Sequence, residues 1–175
     1  MGSDPQRTAS RYTKTMATEI ELQFLQDNLN FLFGLFVIFE ELRTNQTIDI
    51  SLKKILVSGL ARSYIGGLAS LTDPTKDKLG NENLSIYLIP ETNLSSHDLV
   101  IGKLKDVRNK IIAHNDKAAM LKGDDFLKDM NLTIEDSKAL LYQLADIVGK
   151  ASGRSMPVET MKSEYTTSLR KALRR

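Results

Sequence analysis

The stretch KLKDVRNKIIAHND, residues 103–116, holds Arg108, Asn109 and, five residues further on, His114, one of only two histidines in the chain. Histidine has an unperturbed pKa of about 6.5, so it can take or give a proton near neutral pH. Arginine's planar fork donates paired hydrogen bonds to phosphate or carboxylate oxygens. A site built from these types would do acid–base chemistry beside an anionic group. Other chemistries have weaker footing. Without cysteine the chain has no disulfide, thiolate zinc site or thiol nucleophile. The second histidine, His97 in SSHD, reads as a surface residue in a helix's first turn. Two histidines far apart make a zinc site improbable, and there is no G-x-x-x-x-G-K-[ST] loop for a nucleoside triphosphate. No metal or cofactor is expected.

Bulk properties set the frame. A chain of 175 residues, 41% hydrophobic and 26% charged, is an ordinary soluble domain with room for a core. A net charge of +2 does not attract nucleic acid or anionic membrane by itself, so any such attraction must be local. The longest apolar run, FLFGLFVIF from Phe31 to Phe39, is about half the roughly 20 residues needed to span a bilayer, and no secretory signal is visible. The expectation is a cytoplasmic protein with no membrane anchor, which the lack of cysteine fits.

The elements that must position Arg108 and His114 read as helices, with almost no strand-like alternation. Thr18 and Glu21 form a capping-box pattern that opens a first helix, Asn45 is a plausible stop, and five of the six phenylalanines lie within it. Such a helix is buried centrally or shared between two subunits. A second helix is predicted from about Ser51 to Leu71, ended by DPT at Asp73 to Thr75. Gly59, Gly66 and Gly67 inside it point to close helix packing or a local kink, with ligand contact as the alternative. Residues 73–94 form a connection with one apolar piece, Leu84 to Ile89. Ser95 and Asp98 repeat the capping-box pattern, opening a third helix that runs to about His114 or Ala119. GDDFLKDMN reads as a short helical turn. Thr133 and Asp136 cap a fourth long helix with Leu140, Leu141, Leu144, Ile147 and Val148 at core spacing, and Gly153 lies past its end. Pro157 suits the first turn of a last helix with a basic end. The expected organisation is a flexible start over 1–17 that can include a cloning scar, an all-α domain over 18–153, and a C-terminal helix over 154–175.

On a wheel of about 100° per residue, Val100, Ile101, Leu104, Val107, Ile111 and Ile112 make an apolar arc. Arg108 and Asn115 fall inside that arc, and His114 lies on its edge beside Val107. Asn109 lies on the polar side with Lys105 and Asp116. An unpaired buried charge is too costly to keep, so Arg108 needs compensation. Three readings stay open on this ground. The arginine makes a structural ion pair and His114 is a hydrogen-bonded core residue; or both face a cleft or subunit interface as a working site; or the helix end is frayed and carries no role.

The Arg108-Asn109-x4-His114 pattern resembles the signature of the HEPN superfamily, an arginine with a polar follower and a histidine after four to six intervening residues, here five. LASLTDPTK, NLSIYL and VRNKIIAHND follow the order and spacing of its abortive-infection, U-type branch, and the resemblance covers roughly Leu22 to Ala151. It implies an all-α HEPN-like bundle of four long helices with short helical pieces and a C-terminal helix. It also implies a metal-independent ribonuclease in a toxin or phage-defence setting, often a homodimer with both motifs facing one cleft, and an antitoxin or defence-system partner. Arg108 and His114 would be catalytic, with Asn109 holding a phosphate or sugar oxygen or orienting His114. Lys105, Lys110 and Lys117 would guide RNA, within a local run of six cations (Lys103, Lys105, Arg108, Lys110, Lys117, Lys122) against Asp106 and Asp116. A solvated helix face is the plain alternative for each lysine. The rival functions are a non-catalytic HEPN module that binds RNA, a nucleotide or a protein, and a helical scaffold.

Overall fold

The computed structural model describes residues 17–75, 83–90, 92–113 and 132–173. Among the described residues five α-helices carry the fold: α1 Glu19–Thr44, α2 Ile50–Leu71, α3 Asp98–Val107, α4 Ile134–Ser152 and α5 Val158–Leu173. Among the described residues there is no strand. The protein is an all-α, HEPN-like bundle.

Local chemistry sets most of the boundaries. At the start of α1 the Thr18 N–H donates to Glu21 Oε2 at 2.7 Å, and the Glu21 N–H donates to Thr18 Oγ1 at 3.2 Å. This is the reciprocal capping box the sequence predicts, and Asn45 is the C-cap. At α2 the cap is Asp49, whose Oδ1 accepts from the N–H groups of Ser51 and Leu52. Thr133 accepts the Asp136 N–H at 3.0 Å and opens α4, and Gly153 closes it with φ of 65°, a left-handed turn that favours glycine.

The capping box expected at Ser95 does not form. Asn93 Oδ1 takes the Ser95 N–H at 3.0 Å in a local side-chain turn, and Ser95–His97 becomes one turn of 3-10 helix. α3 therefore opens at Asp98, three residues later. Its continuation also departs from the expected α-helix: Arg108–Ala113 is π-helical. A π turn holds more residues than an α turn, so the 100° wheel ceases to apply beyond Arg108. The expected placements of His114, Asn115 and GDDFLKDMN lie outside the described residues.

α1 is the central helix, with α2, α4 and α5 packed on it. By length and composition it could span a bilayer, but here it is the core helix of the bundle. Leu25, Leu29, Leu32, Phe33 and Phe36 project into a core shared with Leu68 of α2, Leu104 and Val107 of α3, and Leu140, Leu141, Leu144 and Val148 of α4. Phe33 meets Tyr142 edge-on at 5.4 Å between ring centres. Two of the five α1 phenylalanines, Phe24 and Phe31, are exposed. Tyr64 donates to the Ser137 carbonyl at 3.2 Å and ties α2 to the first turn of α4.

The α2 glycines divide. A Cβ on Gly67 would come within 2.5 Å of Leu32 Cδ2, which is the close helix packing expected. A Cβ on Gly59 would meet nothing within 4 Å, so close packing does not explain that glycine. Gly59→Ala should therefore stabilise the fold by about 0.5–1 kcal/mol through helix propensity. Gly67→Ala should destabilise it by about 1–2 kcal/mol, because Leu32 is fully buried and can yield only by displacing its neighbours. Leu32→Val should recover part of that loss in the double variant. Urea midpoints of the four proteins check this. Equal gains at both glycines would contradict it.

Candidate functional site

The short α3 brings Arg108 to the end of α2. Leu104 and Val107 anchor α3 in the core, and Arg108 begins the π turn directly after them. Across from it stands Asp73, one residue beyond the α2 C-cap, Thr72. Thr72 is fully buried, and its hydroxyl donates to the Leu68 carbonyl at 2.8 Å, fixing the exit of α2. The Asp73 N–H donates to the Ser70 carbonyl at 3.2 Å. Asp73 is thus held by its own backbone before its side chain meets a partner.

Among the described residues the carboxylate has three partners. Arg108 Nη1 donates to Oδ2 at 2.9 Å. The Thr75 N–H donates to Oδ1 at 3.1 Å, and Lys105 Nζ lies 3.8 Å from the same oxygen. The Asp73 side chain is only 9% exposed, against 24% for Arg108 and 31% for Lys105. Burial alone would push this carboxyl up. The hydrogen bonds from Arg108 and Thr75, with the Arg108 charge, outweigh burial and hold it below the usual carboxylate range.

Arg108 is held at a second edge. Its Nε donates to Asn109 Oδ1 at 3.2 Å. Asn109 is exposed, and its side-chain oxygen faces the arginine. Among the described residues Nη2 donates no hydrogen bond. Among the described residues the guanidinium is pinned on two edges and open on the third. Lys105 and Lys110 belong to the described residues; Lys105 converges with Arg108 on Asp73, and Lys110 is exposed. His114 and Lys117 lie outside them. His97 is half-buried in the 3-10 turn. Among the described residues no group of three or more His, Cys, Asp or Glu is placed to hold a metal ion. A hollow of about 340 Å³ between α4 and the turn into α5 is lined by Tyr142, Asp146, Lys150 and Arg154 among others, none of them from the Arg108 site.

Asp73 is the residue that sequence reasoning missed. The demand for a carboxylate was legible in the arginine on an apolar arc, but the partner lies 35 positions away in sequence. In sequence DPT reads as a helix stop and, within LASLTDPTK, as part of the family resemblance, and neither reading gives Asp73 a partner.

The Asp73 pair makes a pH-dependent contribution to stability. A carboxylate whose folded pKa is lowered stabilises the fold above its unfolded pKa and loses that contribution as pH falls through the folded value. The contribution of Asp73 is complete at neutral pH and disappears below about pH 4. Asp73→Asn should cost about 1–3 kcal/mol at pH 7, where it leaves Arg108 without its charge partner. The urea midpoints of parent and variant should converge as pH falls from about 4 toward 2. Curves that stay parallel in acid would refute the pair's role.

Residues 91–156 match the family model HEPN_AbiU2, described as AbiU2. The matched segment contains Arg108, Asn109 and His114 and runs from before α3 to beyond α4; Asp73 lies outside it. No curated protein matches the chain, and no solved structure matches it. Over residues 91–156, less than half of the chain, the sequence is similar to the abortive-infection U-type branch of the HEPN superfamily.

Proposed function

We propose that the protein is a metal-independent HEPN ribonuclease, acting in the cytoplasm as a toxin or phage-defence effector. The observation that carries this reading is the Arg108 guanidinium, oriented by Asp73 and Asn109 with one edge open among the described residues, inside a segment that matches an abortive-infection HEPN family. RNA supplies its own nucleophile, the 2′-OH. Its oxygen attacks the adjacent phosphorus, the bond to the 5′-oxygen breaks, and the products are a 2′,3′-cyclic phosphate and a 5′-OH. A proton leaves the 2′-OH and another reaches the departing 5′-oxygen. His114 is the group proposed for these transfers, since histidine titrates close to neutral pH. The open edge of Arg108 would meet the charge that builds on the phosphate oxygens. Lys105, Lys110 and Lys117 would hold the neighbouring backbone.

One chain has a single motif histidine, and two proton transfers are easier with two. A symmetric dimer would supply both at one cleft. The exposed Phe31, Ile55 and Leu99 leave apolar surface for such contact. An antitoxin or other defence component is the expected protein partner. A second reading, a HEPN module that binds RNA, a nucleotide or a protein without cleaving, is favoured by one observation: Asp73 already gives Arg108 a structural task.

Purified protein incubated with mixed RNAs in excess EDTA should cleave them and leave 2′,3′-cyclic phosphate and 5′-OH ends. Activity that vanishes with EDTA and returns with magnesium, or 5′-phosphate ends, would overturn the mechanism. His114→Ala should lose about 10²- to 10⁴-fold in rate while keeping its fold. A well-folded His114→Ala protein with undiminished cleavage would remove histidine from the chemistry. Light scattering at micromolar concentration should give the dimer mass, and a monomer would count against the shared cleft.

A further inference from the structure

We propose that Asp73 is a positioning residue for phosphate recognition: it aims the open edge of Arg108 and draws Lys105 to the same place. The proposal rests on the ribonuclease reading of this site and adds a residue outside the matched segment. Its ground is the form of the ion pair. An arginine and a carboxylate that meet only for stability can use both forks, as the surface pair on α1 and α5 does. There Arg170 Nε and Nη2 donate to Glu41 Oε2 and Oε1 at 2.9 and 2.8 Å. Arg108 meets Asp73 through Nη1 alone. The other Asp73 oxygen takes the Thr75 N–H and faces Lys105, and the Arg108 Nε goes to Asn109.

Two consequences follow from this arrangement. Arg108 keeps donors that Asp73 does not occupy, at a side chain that is 24% exposed. Two cations share one carboxylate, so the Asp73, Lys105 and Arg108 group carries one net positive charge. A phosphodiester carries one negative charge. The group matches a single backbone phosphate in charge, and the fixed Asp73 removes rotamer freedom that binding would otherwise have to freeze.

The test compares the parent with Asp73→Asn and Asp73→Glu as full chains, using two readouts. One is kcat and KM for an RNA oligonucleotide. The other is the side-chain ¹⁵N signal of Arg108 Nε, assigned with Arg108→Lys, during titration with the 2′-O-methyl form of that oligonucleotide, which has no free 2′-OH to attack. Asp73→Asn should lose about 10- to 100-fold in kcat with KM changed less than about threefold, and its Arg108 signal should broaden and stop responding to the oligonucleotide. Asp73→Glu should recover the parent's unfolding midpoint but not its kcat, because the added methylene restores charge and displaces the guanidinium. A role in stability alone predicts full recovery of both by Asp73→Glu, and that result overturns the proposal even if Asp73→Asn does not fold. A folded Asp73→Asn protein with the parent's kcat and Arg108 response overturns it too. If the parent does not cleave, but its Arg108 signal shifts with the oligonucleotide and loses that shift in a folded Asp73 variant, the positioning role stands and the nuclease reading falls. If the parent's signal never responds, Arg108 meets no phosphate and the proposal fails.

Discussion

A positive charge at the edge of a hydrophobic core must be met by a fixed negative one, and the Arg108–Asp73 contact does this at 2.9 Å. Several features of the fold serve it. α2 has to end at Leu71 so that Asp73 can turn back toward α3, and Pro74 after it keeps the chain from continuing as a helix. α3 has to seat Leu104 and Val107 in the core so that the next residue reaches Asp73. The π turn then begins at Arg108 and ends at Ala113, one residue before His114 in the sequence. π turns often accompany functional sites, since the extra residue per turn costs hydrogen-bond quality that a plain scaffold has no reason to give up.

The rest of the bundle provides a rigid mount. α1 lies between α2, α4 and α5, and its side chains fill most of the shared core. α5 is joined to α1 by the Arg170–Glu41 fork and to α4 by Tyr142, whose hydroxyl donates to Glu159 at 3.1 Å. These contacts are exposed and worth little individually. The buried leucines and Phe33 supply the larger part of the stability.

Helices were legible wherever a local rule decides them. Thr18 with Glu21, Thr133 with Asp136, and Gly153 are short-range signals whose partners lie within three or four residues. The same rule failed at Ser95, because Asn93 offered the backbone a competing oxygen two residues earlier. The π turn was not legible, since periodicity assumes a regular helix and a one-residue expansion leaves no compositional mark. At the site, the wheel placed Arg108 where it needs compensation, and the resemblance pointed to the motif around it. The identity of the compensating group depends on how α2 meets α3 in space, and no spacing rule reports that. Asn109 shows the same limit: its type was legible, while its hydrogen bond to the Arg108 Nε was not.

The central claim is that Asp73 holds Arg108 while leaving it free to grip a phosphate. A crystal structure of the protein with the uncleavable 2′-O-methyl oligonucleotide tests this most directly. The account predicts a backbone phosphate oxygen about 3 Å from Arg108 Nη2, with Nη1 still on Asp73. Arg108 and Asp73 in their present contact, with the oligonucleotide bound elsewhere on the surface, would contradict it.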